Sequence, residues 1–391
     1  MNLNTIFTKM SYDFAIIGAG AAGTLLAVEL VNRPSLSTKK VLIVDREGGD
    51  YRNRTWCFWA ETCHSLDFLV KHKYTHIAVS DEDDKPYASI HPYTYNRIEG
   101  ADFHDHYRPI LKNHPQIDFV LDEVEHIESN KDLAYIHLSS GGSKSAKICF
   151  DSRFSYDRLA GSRYPVLQQH FIGLEIETNQ EVFDASKADF MDFSVPQKGN
   201  TRFMYVLPTS ATRALLEYTL FSHQPLKDSD YEEAIHEYLA LKEISDYKVV
   251  SREKGSIPMS SHPLWRPLSS RVLPIGLNGG WAKPSTGFAF NRSLQRVKQI
   301  ADHVEKDPDR LPRLKFKDRF WLYDLLLLDL LDRKNGAGSR LFVRLFEKRQ
   351  PQLILQFLDE KTHFLQELSI MSANRPIPFI KAFFRWLFKG F

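Results

Sequence analysis

Apolar residues open the chain in two short runs. Tyr12–Gly18 (YDFAIIG) reads as a buried strand, and Lys40–Asp45 (KVLIVD) as a second that ends on an acid. Between them Ala21–Val31, small and aliphatic, predicts a helix. Strand, helix and strand in this order make a parallel βαβ opening. The polar, aromatic stretch 46–65 predicts a loop. Tyr74–Ile90 alternates weakly, as strands do, and Asp105–Asn113 predicts a helix. Ile117–Ile127, Leu133–Leu138 and Lys147–Phe150 read as strands that close the sheet.

The texture then changes. Val166–Thr178, Met191–Val195, Arg202–Pro208 and Ala214–Leu220 are aromatic-rich β runs, which predict a second, antiparallel sheet. Asp230–Lys242 reads as helix and Lys248–Ile257 as strand. Arg271–Gly276 is a short buried strand, followed by a Gly/Pro loop and a helix from about Thr286. Beyond Leu311 the pattern is helical, with clustered Leu and Phe. The predicted organisation is a nucleotide-binding unit over 11–160 and 261–310, an antiparallel β unit over 161–260, and a helical region over 311–391.

Composition narrows the class. The 391 residues are 43% hydrophobic and 26% charged, which suits a globular protein. Fifty-one basic against 49 acidic residues leave a net charge of +2 and no chain-wide footprint for nucleic acid. Aromatics are in excess, with 27 Phe, 16 Tyr and 6 Trp, and suit a flat apolar ligand as well as a packed core. The three cysteines, Cys57, Cys63 and Cys149, match no zinc spacing, so free thiols in a cytoplasmic protein are expected. No secretory leader is visible, and no run reaches the ~18 apolar residues of a membrane span. His104 and His106 lack a third ligand in a compact motif, and no metal is expected.

Gly18-Ala19-Gly20-Ala21-Ala22-Gly23 is GxGxxG between a buried strand and a helix, and Asp45 ends the next strand. Gly18 permits the tight turn, Gly20 the approach of a pyrophosphate, and Gly23 close packing of helix on sheet. The helix N-terminus offers bare N–H groups to phosphate, and Asp45 is placed for ribose hydroxyls. A second glycine-rich stretch, Gly276–Gly287 (GLNGGWAKPSTG), follows the strand at Arg271–Ile275. Two glycine sites flanking an inserted β unit point to FAD: the first for its ADP half, the second bringing Pro284, Thr286 and Gly287 to the isoalloxazine.

Several ordered segments resemble the bacterial lycopene β-cyclases. They are Asp13–Gly23, Asn53–Trp59 (NRTWCFW), Arg202–Ser222 (RFMYVLPTSATRALLEYTLFS), Gly255–Pro258 (GSIP), Leu273–Arg292 (LPIGLNGGWAKPSTGFAFNR) and the tail Arg340–Met371. The resemblance implies an α/β, GxGxxG FAD-binding flavoprotein fold with a Rossmann-like parallel sheet, an inserted antiparallel substrate domain and a helical C-terminal region. It implies FAD, active when reduced, with NAD(P)H as reductant. It further implies lycopene and γ-carotene as substrates, whose ψ-ends close into rings without net redox change. Ala19, Arg46, Arg54, Thr55, Arg97 and Val124 join the expected cofactor contacts, and Glu217 is the implied proton donor. Phe154 departs from the family, standing where the turn Asp151-Ser152-Arg153 is followed by glycine. Residues 1–9 lie outside the match.

Glu217 lies in an otherwise apolar strand, ALLEYTL. A desolvated carboxyl has a raised pKa and can act as a general acid near neutrality. Facing solvent, or pairing with Arg213 on the same strand face, are the alternatives that the residues leave open. Trp56, Phe58, Trp59, Phe203, Tyr205, Tyr218, Trp281 and Phe288 are, as a set flanking the two glycine sites, candidates to line the pocket and stabilise a cation; taken singly, each reads as plain core. Phe320–Leu331 is read as core. Pro376–Phe391 (PIPFIKAFFRWLFKGF) carries Lys381, Arg385 and Lys389 at four-residue spacing among aromatics. Such a helix either lies in a membrane interface with its basic stripe on lipid headgroups or docks on the body. The resulting expectation is a cytoplasmic protein peripheral to the membrane. An isoprenoid-chain reductase or hydroxylase, and a non-catalytic flavin- or carotenoid-binding protein, are the alternative functions.

Overall fold

The computed structural model describes residues 11–46, 52–61, 65–81, 86–314 and 317–389. Cys63 and the last two residues of the C-terminal aromatic segment lie outside them. The first sheet is built on a parallel core, in the order β8 (Ile117–Leu121), β2 (Val41–Asp45), β1 (Ser11–Ile17) and β11 (Ser143–Asp151). The short strand β17 (Val272–Pro274) joins β11 in parallel. On the same side of β11, two antiparallel strands, β10 (Ala134–Leu138) and β9 (Val124–Ser129), complete the sheet. The helices α1 (Ala21–Val31) and α4 (Phe290–Lys306) pack against each other over this sheet. Leu26, Leu30, Val297 and Ile300 are sealed between them and Ile16, Ile43 and Ile148. The strands are apolar on both faces because both faces are covered.

The second sheet runs β16 (Tyr247–Met259), β12 (Leu167–Thr178), β15 (Arg213–Ser222), β14 (Thr201–Ser210), β13 (Lys187–Asp192), β5 (His76–Ser80) and β6 (Ala88–Ser89). It is antiparallel throughout except where β13 meets β5 in parallel. Helix α3 (Asp228–Leu241) covers one face through Tyr231, Ile235 and Leu239, against Leu216, Tyr218 and Leu220 of β15. The other face is roofed by a three-stranded sheet, β3 (Thr55–Ala60), β7 (Thr94–Glu99) and β4 (Val70–Tyr74). Helices α5 (Arg319–Lys334), α6 (Gly338–Lys348) and α7 (Pro351–Leu358) add to this side, with Leu328, Leu331, Phe342, Val343 and Leu355 in the shared core.

Three readings of the sequence change. The stretch 46–65 is not all loop: β3 lies within it, and its six residues TWCFWA are covered on both faces, so no polar alternation marks it. Helix α2 (Gly100–Lys112) begins five residues before Asp105. Helix α4 begins at Phe290 rather than near Thr286, because Gly287 has a φ of +73°, outside helical geometry.

Charges inside the helical region are paired. Lys283 Nζ is 3.1 Å from Asp324 and 3.0 Å from Glu360, and all but Glu360 are buried. Asp329, fully buried in α5, holds Arg385 of α9 (Ile377–Lys389). A buried charge stripped of its partner costs about 3–5 kcal/mol. Lys283→Met is therefore expected to lower stability by roughly that amount, read as a fall in the urea-unfolding midpoint.

Candidate active site

A cavity of about 800 Å³ runs between the two large sheets. That volume lies in the upper part of the range of small-molecule sites, about 300–1,000 Å³. One region is built from the turn after β1: Gly18, Gly20, Ala21 and Ala22, with Asp45, Arg46, Val124, Ser152 and Arg153 beside them. Gly18 has a φ of +89°, and a Cβ on Gly23 would stand 1.9 Å from the Gly18 carbonyl. Helix α1 therefore meets the turn more closely than any side chain allows, and its N-terminus faces the cavity. Asp45 is buried at the end of β2, 3.9 Å from Arg108. The second glycine stretch reaches the same space through Gly276, Thr286, Gly287 and Phe288.

The other region is aromatic. Phe171, Phe190, Phe203, Tyr205, Phe221, Phe288, Phe342 and Phe346 line it, with Ile354 and Leu358 of α7. Strand parity decides which side chains take part. On β15, Glu217, Thr219 and Phe221 face the cavity, while Leu216, Tyr218 and Leu220 face α3. Tyr205 of β14 stands directly across from Glu217 and hydrogen-bonds the Tyr95 hydroxyl of β7.

Glu217 is the carboxyl in this apolar wall. Burial pushes its pKa well above the ordinary carboxylate range. A hydrogen bond to Glu253 and the charge of Glu253 push it the same way, and only Arg97 pulls it down. Arg97 is engaged elsewhere: its guanidinium lies 2.8 Å from Glu175, and both are buried. Arg213 binds the other oxygen of Glu175 at 2.9 Å. The pairing of Glu217 with Arg213 that the sequence left open is thus replaced by one with Glu175.

A family model described as "Lycopene cyclase protein" matches residues 13–383. The chain belongs to the lycopene cyclase family. It is 27% identical to a lycopene beta-cyclase of Paracoccus sp., over 94% of this chain and 95% of that one. Among solved structures, a geranylgeranyl bacteriochlorophyll reductase-like protein of Thermoplasma acidophilum superposes with a TM-score of 0.61 at 11% identity, covering 95% and 98% of the two chains. A halogenase, PltM, solved with phloroglucinol and FAD, gives 0.59 at 13% identity, covering 95% and 85%. The fold is that of these two structures.

In this lycopene cyclase family member, most expected contacts converge on the cavity. Gly18, Gly20, Asp45, Arg46, Arg54, Thr55, Val124, Gly276, Thr286 and Gly287 line it, as do Glu217, Trp56, Phe203, Tyr205 and Phe288. Others lie off it. Ala19 and Gly23 sit beneath the turn, and Arg97 is taken up by Glu175. Pro284 borders a separate small cleft with Trp321 and Arg292. Phe58 stacks on Phe290 in the core, Trp59 packs edge-on behind Phe288, and Trp281 is wholly buried under the parallel sheet. Tyr218 points to α3 and takes a hydrogen bond from Arg202. Phe171, Phe190 and Phe221 line the aromatic region without having been singled out, although alternation along β12, β13 and β15 places them there.

Helix α9 docks on the body, one of the two arrangements the sequence left open. Ala382, Arg385 and Trp386 turn inward, with Arg385 on Asp329, so Arg385 does not join the exposed Lys381 in an outward basic stripe. Ile377, Ile380, Phe384, Leu387 and Phe388 face outward. No helix among the described residues is long and apolar enough to cross a membrane. His104 is buried beside Trp56 and His106 is exposed. His126, Glu128 and His137 adjoin one another on the β9–β10 hairpin, with the two imidazoles stacked at 4.2 Å and the ligand atoms of all three within 4.8 Å of one another.

Cys57, on the cavity wall, has its thiol pushed up to about 12 by burial, and burial raises Cys149 well above its ordinary value. Thiolate is the reactive form. With Cys63→Ser, both cysteines are expected to react with Ellman's reagent at pH 8 at least ~100-fold more slowly in the folded than in the denatured protein.

Proposed function

We propose that this protein is a lycopene β-cyclase that closes the ψ-ends of lycopene, through γ-carotene, to β-rings. The observation that carries the reading is Glu217: a carboxyl held neutral in the wall of an aromatic cavity continuous with a dinucleotide-type turn. The residues around that turn fit FAD. The helix N-terminus and the glycine backbone suit a pyrophosphate, and Asp45 suits the ribose. Gly276, Thr286 and Gly287 lie where the cavity passes from that turn to the aromatic region. When bound in reduced form, FAD supplies negative charge beside a developing cation, with NAD(P)H as the reductant.

The chain's own part begins at Glu217. Its carboxyl proton passes to the terminal trisubstituted alkene and leaves a tertiary carbocation. The neighbouring double bond attacks, the ring closes, and the Glu217 carboxylate left by the first transfer takes one ring proton back. One proton enters and one leaves, so the product is an isomer of the substrate. The faces of Phe171, Phe203, Tyr205 and Phe221 offer quadrupole stabilisation to the cation. The apolar wall excludes the water that would otherwise trap it.

Lycopene dissolves in lipid, not water, and the reading places this protein peripherally on the cytoplasmic face of a membrane. The outward apolar side chains of α9 support it, together with Phe364, Leu365, Leu368 and Met371 on α8 (Phe364–Met371). The outward face of α9 is mainly apolar, with Arg385 turned inward from the basic stripe of the membrane alternative.

Two measurements test the proposal. Anaerobic incubation with FAD, NADPH and lycopene in liposomes should yield γ- and β-carotene of unchanged mass, with Glu217→Gln at least about 100-fold slower. A product heavier by hydrogen or oxygen sinks the cyclase reading in favour of a flavin-dependent reductase or hydroxylase. Each Phe buried in lipid contributes about 1.5–3 kcal/mol. Phe384→Glu with Phe388→Glu should therefore lower liposome co-flotation about 100-fold or more; flotation unchanged by the pair would remove the membrane assignment.

A further inference from the structure

Glu217 and Glu253 come from different strands and meet over a residue with no side chain. On β12, Gly173 pairs with Glu217 of β15 on one side and with Glu253 of β16 on the other. The three residues form one row across the sheet, continued by Tyr205 of β14. Side chains in one row share a face, so the two glutamates lean toward each other across the gap at Gly173. A Cβ added there would stand 2.8 Å from Glu217 Cγ and 3.1 Å from Glu253 Cγ. Any residue but glycine would wedge the carboxyls apart.

The surroundings leave the two acids to each other. Glu253 Oε1 is buried and receives no hydrogen bond from the ordinary donors among the described residues. An acidic proton on Glu217 is the donor that the row brings to this carboxyl group. Among the nearby cations, Arg97 and Arg213 both bind Glu175, two residues along β12 from Gly173, Arg54 donates to the Lys254 carbonyl, and the charge of Arg97 opposes the upward shift of Glu217 without cancelling it. From β7 and β4, Tyr95 and Tyr74 face the same space, with Cys57 from β3 and Tyr205 from β14. Burial raises the pKa of each of these four groups, so they are neutral at pH 7.

We propose that Glu217 and Glu253 form an acid pair that shares one proton across the gap at Gly173, with Glu253 as the positioning residue that keeps Glu217 protonated and oriented. Two carboxyls this close cannot both ionise cheaply, so one proton is retained between them. Glu217 lines the cavity and donates; Glu253, half-buried on the edge strand β16, does not touch the cavity and acts through Glu217. The chemical use of the pair rests on the cyclase reading above. The pair itself does not, and it predicts a titration that is visible without substrate.

The test is an infrared pH titration of the protonated-carboxyl C=O band in the full-length protein, alongside the pH–rate profile. The wild type should keep a band at pH 7 that Glu217→Gln removes. The donor must be protonated, so the rate is full below the Glu217 pKa and lost as pH rises through it. Glu253→Gln removes the neighbouring charge, which lowers that pKa. Both the band and the alkaline limb of the rate should move down by at least about 1 pH unit. Glu253→Asp, which keeps the charge but shortens the arm, should shift both less and serves if the Gln variant does not fold. Absence of the wild-type band at pH 7, or titrations that stay at the wild-type pH in both Glu253 variants, overturns the pair. A protein with the expected band shifts but no cyclisation supports the pair and overturns the cyclase reading.

Discussion

A single buried ion pair, Arg97 with Glu175, joins the roof of the cavity to its floor. Arg97 belongs to the three-stranded sheet and Glu175 to the seven-stranded one, so their 2.8 Å contact bridges two separate hydrogen-bonded layers. Such a pair repays its desolvation only with good geometry and further partners. Glu175 has one in Arg213, which takes its second oxygen. The arrangement also has an electrostatic result. It gives both guanidinium groups a carboxylate other than Glu217, so that burial and the neighbouring Glu253 outweigh the pull of Arg97 and raise the Glu217 pKa.

The cavity exists because the sheet around β15 is apolar on both sides for different reasons. One side packs solidly on α3. The other is held off its roof by aromatic side chains that meet edge to face: Tyr95 with Phe190, Trp59 with Phe288, Phe203 with Phe221. Rings in such contacts fill space without collapsing it. The turn with Gly287 then brings Phe288 from the nucleotide-type half into this aromatic wall, so the two halves of the molecule share one lining.

The first βαβ unit was legible because small and aliphatic residues leave few alternatives there; β1, α1 and β2 fall within a residue of their expected limits. The roof was not. Its strands β3 and β7 are covered on both faces, so TWCFWA shows no polar alternation and resembles an aromatic loop. At the site, the convergence of GxGxxG, the second glycine stretch and Glu217 was readable, but the wall was not, because parity matters more than aromatic character. Tyr218 neighbours Glu217 in sequence and faces the opposite way, whereas Phe171 is far in sequence and adjoins the same space. Glu253 was hidden for another reason: SREKG is hydrophilic and reads as an exposed edge, and only strand register brings it opposite Gly173. Trp281 looked like a ligand contact by its position in a glycine loop and proves to be core.

The inward turn of Arg385 bears on how the molecule would meet a lipid surface. A terminal helix on a flexible tether would let the body tumble freely beneath it. Here α9 is bolted to α5 through Asp329, and its outward apolar side chains are fixed relative to the rest of the molecule. The α8 face is held likewise, since Glu367 is buried against Arg319 and Tyr323. Helix α7, which packs on α8, contributes Ile354 and Leu358 to the cavity wall. Under the proposed function, docking is therefore a matter of orientation as much as affinity. A pose that laid these fixed helices on the bilayer would also set which wall of the aromatic chamber lies toward the lipid. A long polyene could then slide in lengthwise with its far end still among acyl chains, never wholly surrounded by water.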